Sequence, residues 1–61
     1  MSTTDEMKNQ FDTYVEENEK FADKGVKASA TRARKALQEL GKLVTVRRKE
    51  ILEEKATPAS N

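Results

Sequence analysis

The sequence predicts an all-α protein: an antiparallel helical hairpin of two helices, dimerising into a four-helix bundle. Three observations support this. Apolar residues recur at spacings of three, four and seven through both halves of the 61-residue chain, the period of helices and not of strands. The chain has only two glycines and one proline, and Gly25 and Pro58 lie where helices are expected to stop. Charge is also divided along the chain. Residues 27–49 carry eight Lys/Arg against the single acid Glu39, or +7, whereas residues 1–24 carry seven acids and three lysines, or −4.

The first helix is predicted over about residues 4–23, on the stripe Met7, Phe11, Tyr14, Val15, Phe21 and Ala22. Thr3 and Glu6 have the spacing of a capping box, and Asp5 and Glu6 suit the positive end of a helix dipole. Asn18 interrupts the stripe, either fixing register within a seam or lying at its edge. Residues 24–26 form the turn. Gly25 reaches the left-handed conformation that ends a helix, and Lys24 suits the negative dipole end.

The second helix is predicted over about residues 27–55. Its stripe is Val26, Ala30, Ala33, Leu37, Leu40, Val44 and Ile51, flanked by Ala36 and Leu43. Small residues come first, so the partner helix is expected to approach closely near the turn. Gly41 is either a close crossing or a weak point, costing about 1 kcal/mol against Ala. Pro58 disfavours helix at Thr57. The domain therefore spans 1–56, with 57–61 a flexible tail. The second helix outruns the first by about two turns at ~1.5 Å per residue, leaving Ile51 and Leu52 uncovered within one chain.

A chain this short has a core of only ~3–5 kcal/mol and is often reinforced by staples or by self-association. With no Cys and no His, disulfides and the usual metal sites are excluded, so a homo-oligomer, a dimer above all, is expected, with a monomeric hairpin as the alternative. No apolar run spans a bilayer and the N-terminus lacks a signal-peptide layout, so a soluble, cytoplasmic protein is expected. Lacking nucleophile, glycine-rich loop and enclosed pocket, the chain is expected to be no enzyme and to take no cofactor or small-molecule substrate. Glu16-Glu17 and Glu53-Glu54 point different ways on a helix and form no paired-carboxylate site.

Taking Leu37 as origin and ~100° per residue, the cations Lys27, Lys35, Lys42 and Lys49 fall roughly 80–160° away, with Arg34 near 60°. Lys35, Lys42 and Lys49 repeat every seven residues as one ridge, interspersed with Thr31, Gln38 and Thr45 and with no acid. Glu39 and Glu50 fall on the other side, near Arg32 and Arg47. Arg48 falls inside the apolar stripe, where it snorkels or meets an acid of the first helix. A solvated helix face ordinarily mixes signs for i,i+4 pairs, as Glu16 and Lys20 do. An unmixed ridge suits a phosphate backbone instead, with little base reading.

The segments Phe21-Ala22-Asp23-Lys24-Gly25, Lys27-Ala28 and Thr31-Arg32-Ala33-Arg34-Lys35-Ala36-Leu37-Gln38-Glu39-Leu40, with Arg48-Lys49-Glu50-Ile51 downstream, resemble the bacterial linker-histone-like family. Its chlamydial members compact the nucleoid. The resemblance covers roughly residues 11–54. It implies DNA binding by Lys27, Arg32, Arg34 and Lys35, joined by Lys42, Arg48 and Lys49, and a location in the nucleoid. Chlamydial members carry a long Lys-rich tail, whereas this sequence ends in Ala56-Thr57-Pro58-Ala59-Ser60-Asn61 and resembles a short form. Val26 also stands where a polar residue is expected.

The leading expectation is thus a small, non-enzymatic, histone-like protein binding DNA with little sequence specificity. Phosphate contacts alone scarcely separate DNA from RNA. The alternative is a helical protein-interaction or self-assembly module without nucleic-acid binding. A membrane-surface helix is disfavoured, because the apolar stripe has no Trp and is partly Ala.

Overall fold

Residues 1–56 are described by a computed structural model, and the tail expected over 57–61 lies outside them. Two helices, α1 (Thr3–Lys24) and α2 (Lys27–Lys55), fold back on one another as an antiparallel hairpin. No described helix is long and apolar enough to cross a membrane.

α1 is closed at both ends by its own sequence. Ser2 is the N-cap: its Oγ accepts from the Asp5 amide at 3.1 Å, and the Asp5 carboxylate accepts from the Ser2 amide at 3.4 Å. The capping box expected at Thr3 and Glu6 therefore forms one residue earlier. Thr3, relieved of that role, donates its hydroxyl to Glu50 Oε2 across the hairpin at 2.7 Å. Gly25 stops the helix at φ 65°, donating its amide to the Phe21 carbonyl at 2.9 Å. There an L side chain costs about 1–2 kcal/mol. α2 starts without a side-chain cap: Val26 offers only its carbonyl, to the amides of Ser29 and Ala30 at 3.1 and 3.3 Å.

The helices meet along a narrower and more polar seam than the apolar stripe predicts. Along the seam the less exposed positions are Thr3, Met7, Gln10, Tyr14 and Glu17 on α1, and Ser29, Ala33, Ala36, Leu40, Leu43, Arg47 and Glu50 on α2, with Ala30 and Glu39 half-buried at its flanks. Both sets alternate spacings of four and three, the a/d pattern of a coiled-coil pair. Ala36 is 3% exposed and Ser29 fully buried, so the backbones approach closely beside the turn, as the small residues there predict.

The seam is pinned at both ends. Near the turn, Arg32 Nε donates to Glu17 Oε1 at 3.1 Å, and Arg32 Nη2 donates to Ser29 Oγ at 3.3 Å. At the open end, Glu50 holds Thr3 and accepts from Arg47 at 3.1 Å, while Arg47 also donates to Glu54 at 2.9 Å. These pins hold the register so that residues numbered i and about 50 − i lie level.

This seam corrects the expected core. Leu37 and Val44, assigned to it from periodicity, are 45% and 40% exposed, and Phe11 is 52% exposed. Val15 and Phe21 are exposed too. The seam runs roughly a quarter-turn away, because the alanines admit the second backbone and the long polar side chains close the ends. Asn18 is exposed, at the edge of the seam and outside it. Gly41 meets no close crossing: a Cβ there would touch nothing within 4 Å. As expected, Ile51 and Leu52 lie beyond the last cross-hairpin bond and remain exposed.

Candidate nucleic-acid interface

Because the seam takes the side of α2 that carries Ser29, Ala33, Ala36 and Leu43, the ~100° advance per residue turns the seven-residue ridge away from α1. Lys35, Lys42 and Lys49 stand on this outer face, all exposed. Their spacing of ~10 Å gives a ridge of about 21 Å, alongside roughly six phosphates of one DNA strand at 3.4 Å each. Thr31, Arg34, Lys35, Gln38 and Glu39 line one shallow hollow on this side, and Thr45, Arg48, Lys49 and Leu52 line another.

The seven expected cations divide into two groups. Lys27, Arg34, Lys35, Arg48 and Lys49 have no ion pair or hydrogen bond among the described residues. Arg48 neither meets an acid of α1 nor lies in the core; it is exposed beside the uncovered Val44 and Ile51. Arg32 and Lys42 are engaged. Arg32 belongs to the turn-end pin, and Lys42 lies 3.7 Å from Glu39. The ridge is therefore not free of acids: Glu39, expected beside Arg32, borders it instead. The i,i+3 geometry brings Glu39 and Lys42 together.

Electrostatics separates the structural charges from the free ones. The Arg32 hydrogen bond, with help from Ser29, holds the Glu17 carboxyl below its ordinary value. The Thr3 hydroxyl and then Arg47 do the same for Glu50. Arg47 is raised further, first by Glu50 and then by Glu54. The pinned charges thus satisfy one another, while the outer face of α2 directs its field outward. α2 also has no acid in its first turn, so the positive end of its dipole adds to Lys27 without offset.

Among the described residues, no group of three or more His, Cys, Asp or Glu could hold a metal ion. What the arrangement offers chemically is a set of solvated cations, five of them unpaired, spread over the outer side of one helix. Of the uncovered apolar face beside these cations, sequence reasoning expected only Ile51 and Leu52 and missed Phe11, Val15, Leu37 and Val44. A heptad through Thr3, Met7, Gln10, Tyr14 and Glu17 was readable, but its polar members disguised it as surface.

No curated protein and no solved structure matches the chain. The family model described as histone H1-like protein Hc1 matches residues 1–57. With nearly its whole length matched, the chain belongs to this family of histone-like, DNA-binding proteins.

Proposed function

We propose that this protein is a small, non-enzymatic, nucleoid-associated protein that binds DNA through phosphate contacts from the outer face of α2, with little sequence preference. The observation that carries the reading is the set of five unpartnered cations, Lys27, Arg34, Lys35, Arg48 and Lys49, on a helix whose other charges are largely paired. Lys42 joins them when phosphate displaces Glu39, since a pair exposed on both sides is held weakly. Arg32 acts from behind, holding the hairpin together. The working unit is a homodimer, which doubles the contacts of one chain.

The uncovered apolar face supports a second role, self-assembly, carried by different residues and compatible with the first. RNA offers the same phosphate chemistry, so it is distinguished by competition and not by the ridge itself.

Fluorescence anisotropy of a labelled DNA duplex tests the reading. Affinity should fall linearly with salt on logarithmic axes, at a slope of about −0.9 per phosphate contact, or roughly −4 to −5 per chain. Unrelated sequences should give the same curve. Absence of binding at low salt overturns the assignment.

A further inference from the structure

Gly41 has no structural reason within the hairpin. It lies in the middle of α2, where glycine weakens a helix relative to alanine. Among the described residues only Gly25 has a positive φ, so no left-handed turn requires glycine at position 41. A Cβ there would meet nothing within 4 Å. The open space over Gly41 therefore serves something outside the chain.

The residues around it say what. The seam of α2 repeats every seven residues, so positions seven apart keep one azimuth relative to α1. The row through Gly41 reads Lys27, Arg34, Gly41, Arg48 and Lys55, all exposed. It carries a cation at every place except its centre. Lys35 stands beside Arg34 and Lys49 beside Arg48, so an Arg-Lys pair flanks the gap on each side. The two pairs are 14 residues apart, or ~21 Å along the helix. Thr31 joins the first pair in lining one hollow, and Thr45 joins the second in lining another. The same three residue types thus recur at the same offset on both sides of the glycine. At the gap itself Thr45 folds back, its hydroxyl donating to the Gly41 carbonyl at 3.4 Å.

A gap flanked by long cations fits a stiff, convex anion. Duplex DNA is stiff over ~50 nm, and a straight helix crossing it touches it first at one point. A side chain at that point holds the two apart. Glycine there lets the backbone come close, and Arg and Lys on either side reach inward on their flexible stems. The length of the ridge suits a strand lying along it; the gap at its centre favours a duplex lying across it. A strand along the row would gain from a further cation at position 41 and would need no gap.

We propose that Gly41 is the seat on which a DNA duplex crosses α2, with Arg34 and Lys35 gripping phosphates on one side and Arg48 and Lys49 on the other. This inference rests on the nucleic-acid reading above and adds the geometry of binding.

G41Q tests the seat, because it fills the gap with a neutral side chain of good helix propensity. Its melting temperature by circular dichroism should equal or exceed that of the wild type. Its affinity for a labelled duplex should nonetheless fall about fivefold or more, and the salt slope should fall by about 0.9 or more although no cation has been removed. A single-stranded oligonucleotide is flexible and bends around the added side chain, so its affinity should change less than about twofold. Unchanged duplex affinity and slope in G41Q overturn the seat, and so does an equal loss on duplex and single strand. G41K separates the two orientations: a duplex lying across α2 gains no affinity from it. A rise in affinity with a slope steeper by about 0.9 places a strand along the row and overturns the crossing. If the wild type binds no duplex at low salt, the nucleic-acid reading falls and takes the seat with it; wild-type binding that G41Q leaves intact removes the seat alone.

Discussion

The outer faces of the two helices are built from similar numbers of charged residues and behave oppositely. On α1, Lys8 bonds Asp12 at 3.0 Å and Lys20 lies 3.6 Å from Glu16. Both of these lysines are paired with acids four residues away, so they are neutralised within the helix, and α1 as a whole stays acidic at net −4. On the outer face of α2, Glu39–Lys42 is the single described pair of this kind, and Lys27, Arg34, Lys35, Arg48 and Lys49 have none. The difference teaches that the placing of an acid one turn from a cation decides whether that cation is neutralised within its helix or offers its field to an anionic partner.

Reversing the free charges should have the largest effect. The double variant K35E/K49E should weaken duplex binding roughly a hundredfold or more at low salt. E16Q/E19Q should change it by less than about threefold. Anisotropy measures both, and equal losses would break the distinction between the faces.

The second comparison sets neighbours on α2 against each other. A36L forces a larger side chain into the closely packed seam and should cost about 1–3 kcal/mol, or roughly 4–8 °C of melting temperature per kcal/mol. K35L, one residue away on the outer face, should leave thermal unfolding by circular dichroism nearly unchanged.

Two arginines sharpen the contrast further. R34Q should lower the salt slope of DNA binding by about 0.9, one phosphate contact, with the melting temperature kept. R32Q should do the reverse, lowering the melting temperature by removing the partner of Glu17 and Ser29 while keeping the slope.

The smallest effect separates seam acids from surface acids. Glu17 and Glu50 are held below their ordinary value of 4.5, so their ionised forms favour the fold. Their contribution is full above that value and is lost as pH falls through the lowered folded-state values. Melting temperature should stay level from pH 7 to about 5 and then decline, and E17Q/E50Q should flatten that decline.

Much of this protein was legible from its residues. The helix bounds came within one residue at each end of α1, and Gly25 marked the turn because its left-handed conformation is costly for other residues. The outward cation ridge was legible because a seven-residue repeat keeps one azimuth on a helix. Less legible was which apolar residues face α1. Leu37, Val44 and Ile51 look like core by hydrophobicity, yet the seam runs through Ser29, Ala33 and Ala36.

The sequence by itself determined two helices, their turn and the separation of charge, because each follows from local spacing and backbone conformation. Tertiary structure alone decided which flank of the broad apolar stripe closes the hairpin and which is left open. It likewise tied Arg32 to Glu17, drew Thr3 to Glu50 and left Arg34 free. Those choices depend on how closely two backbones approach and on which polar groups lie level across the seam, and neither is written in the spacing of one helix.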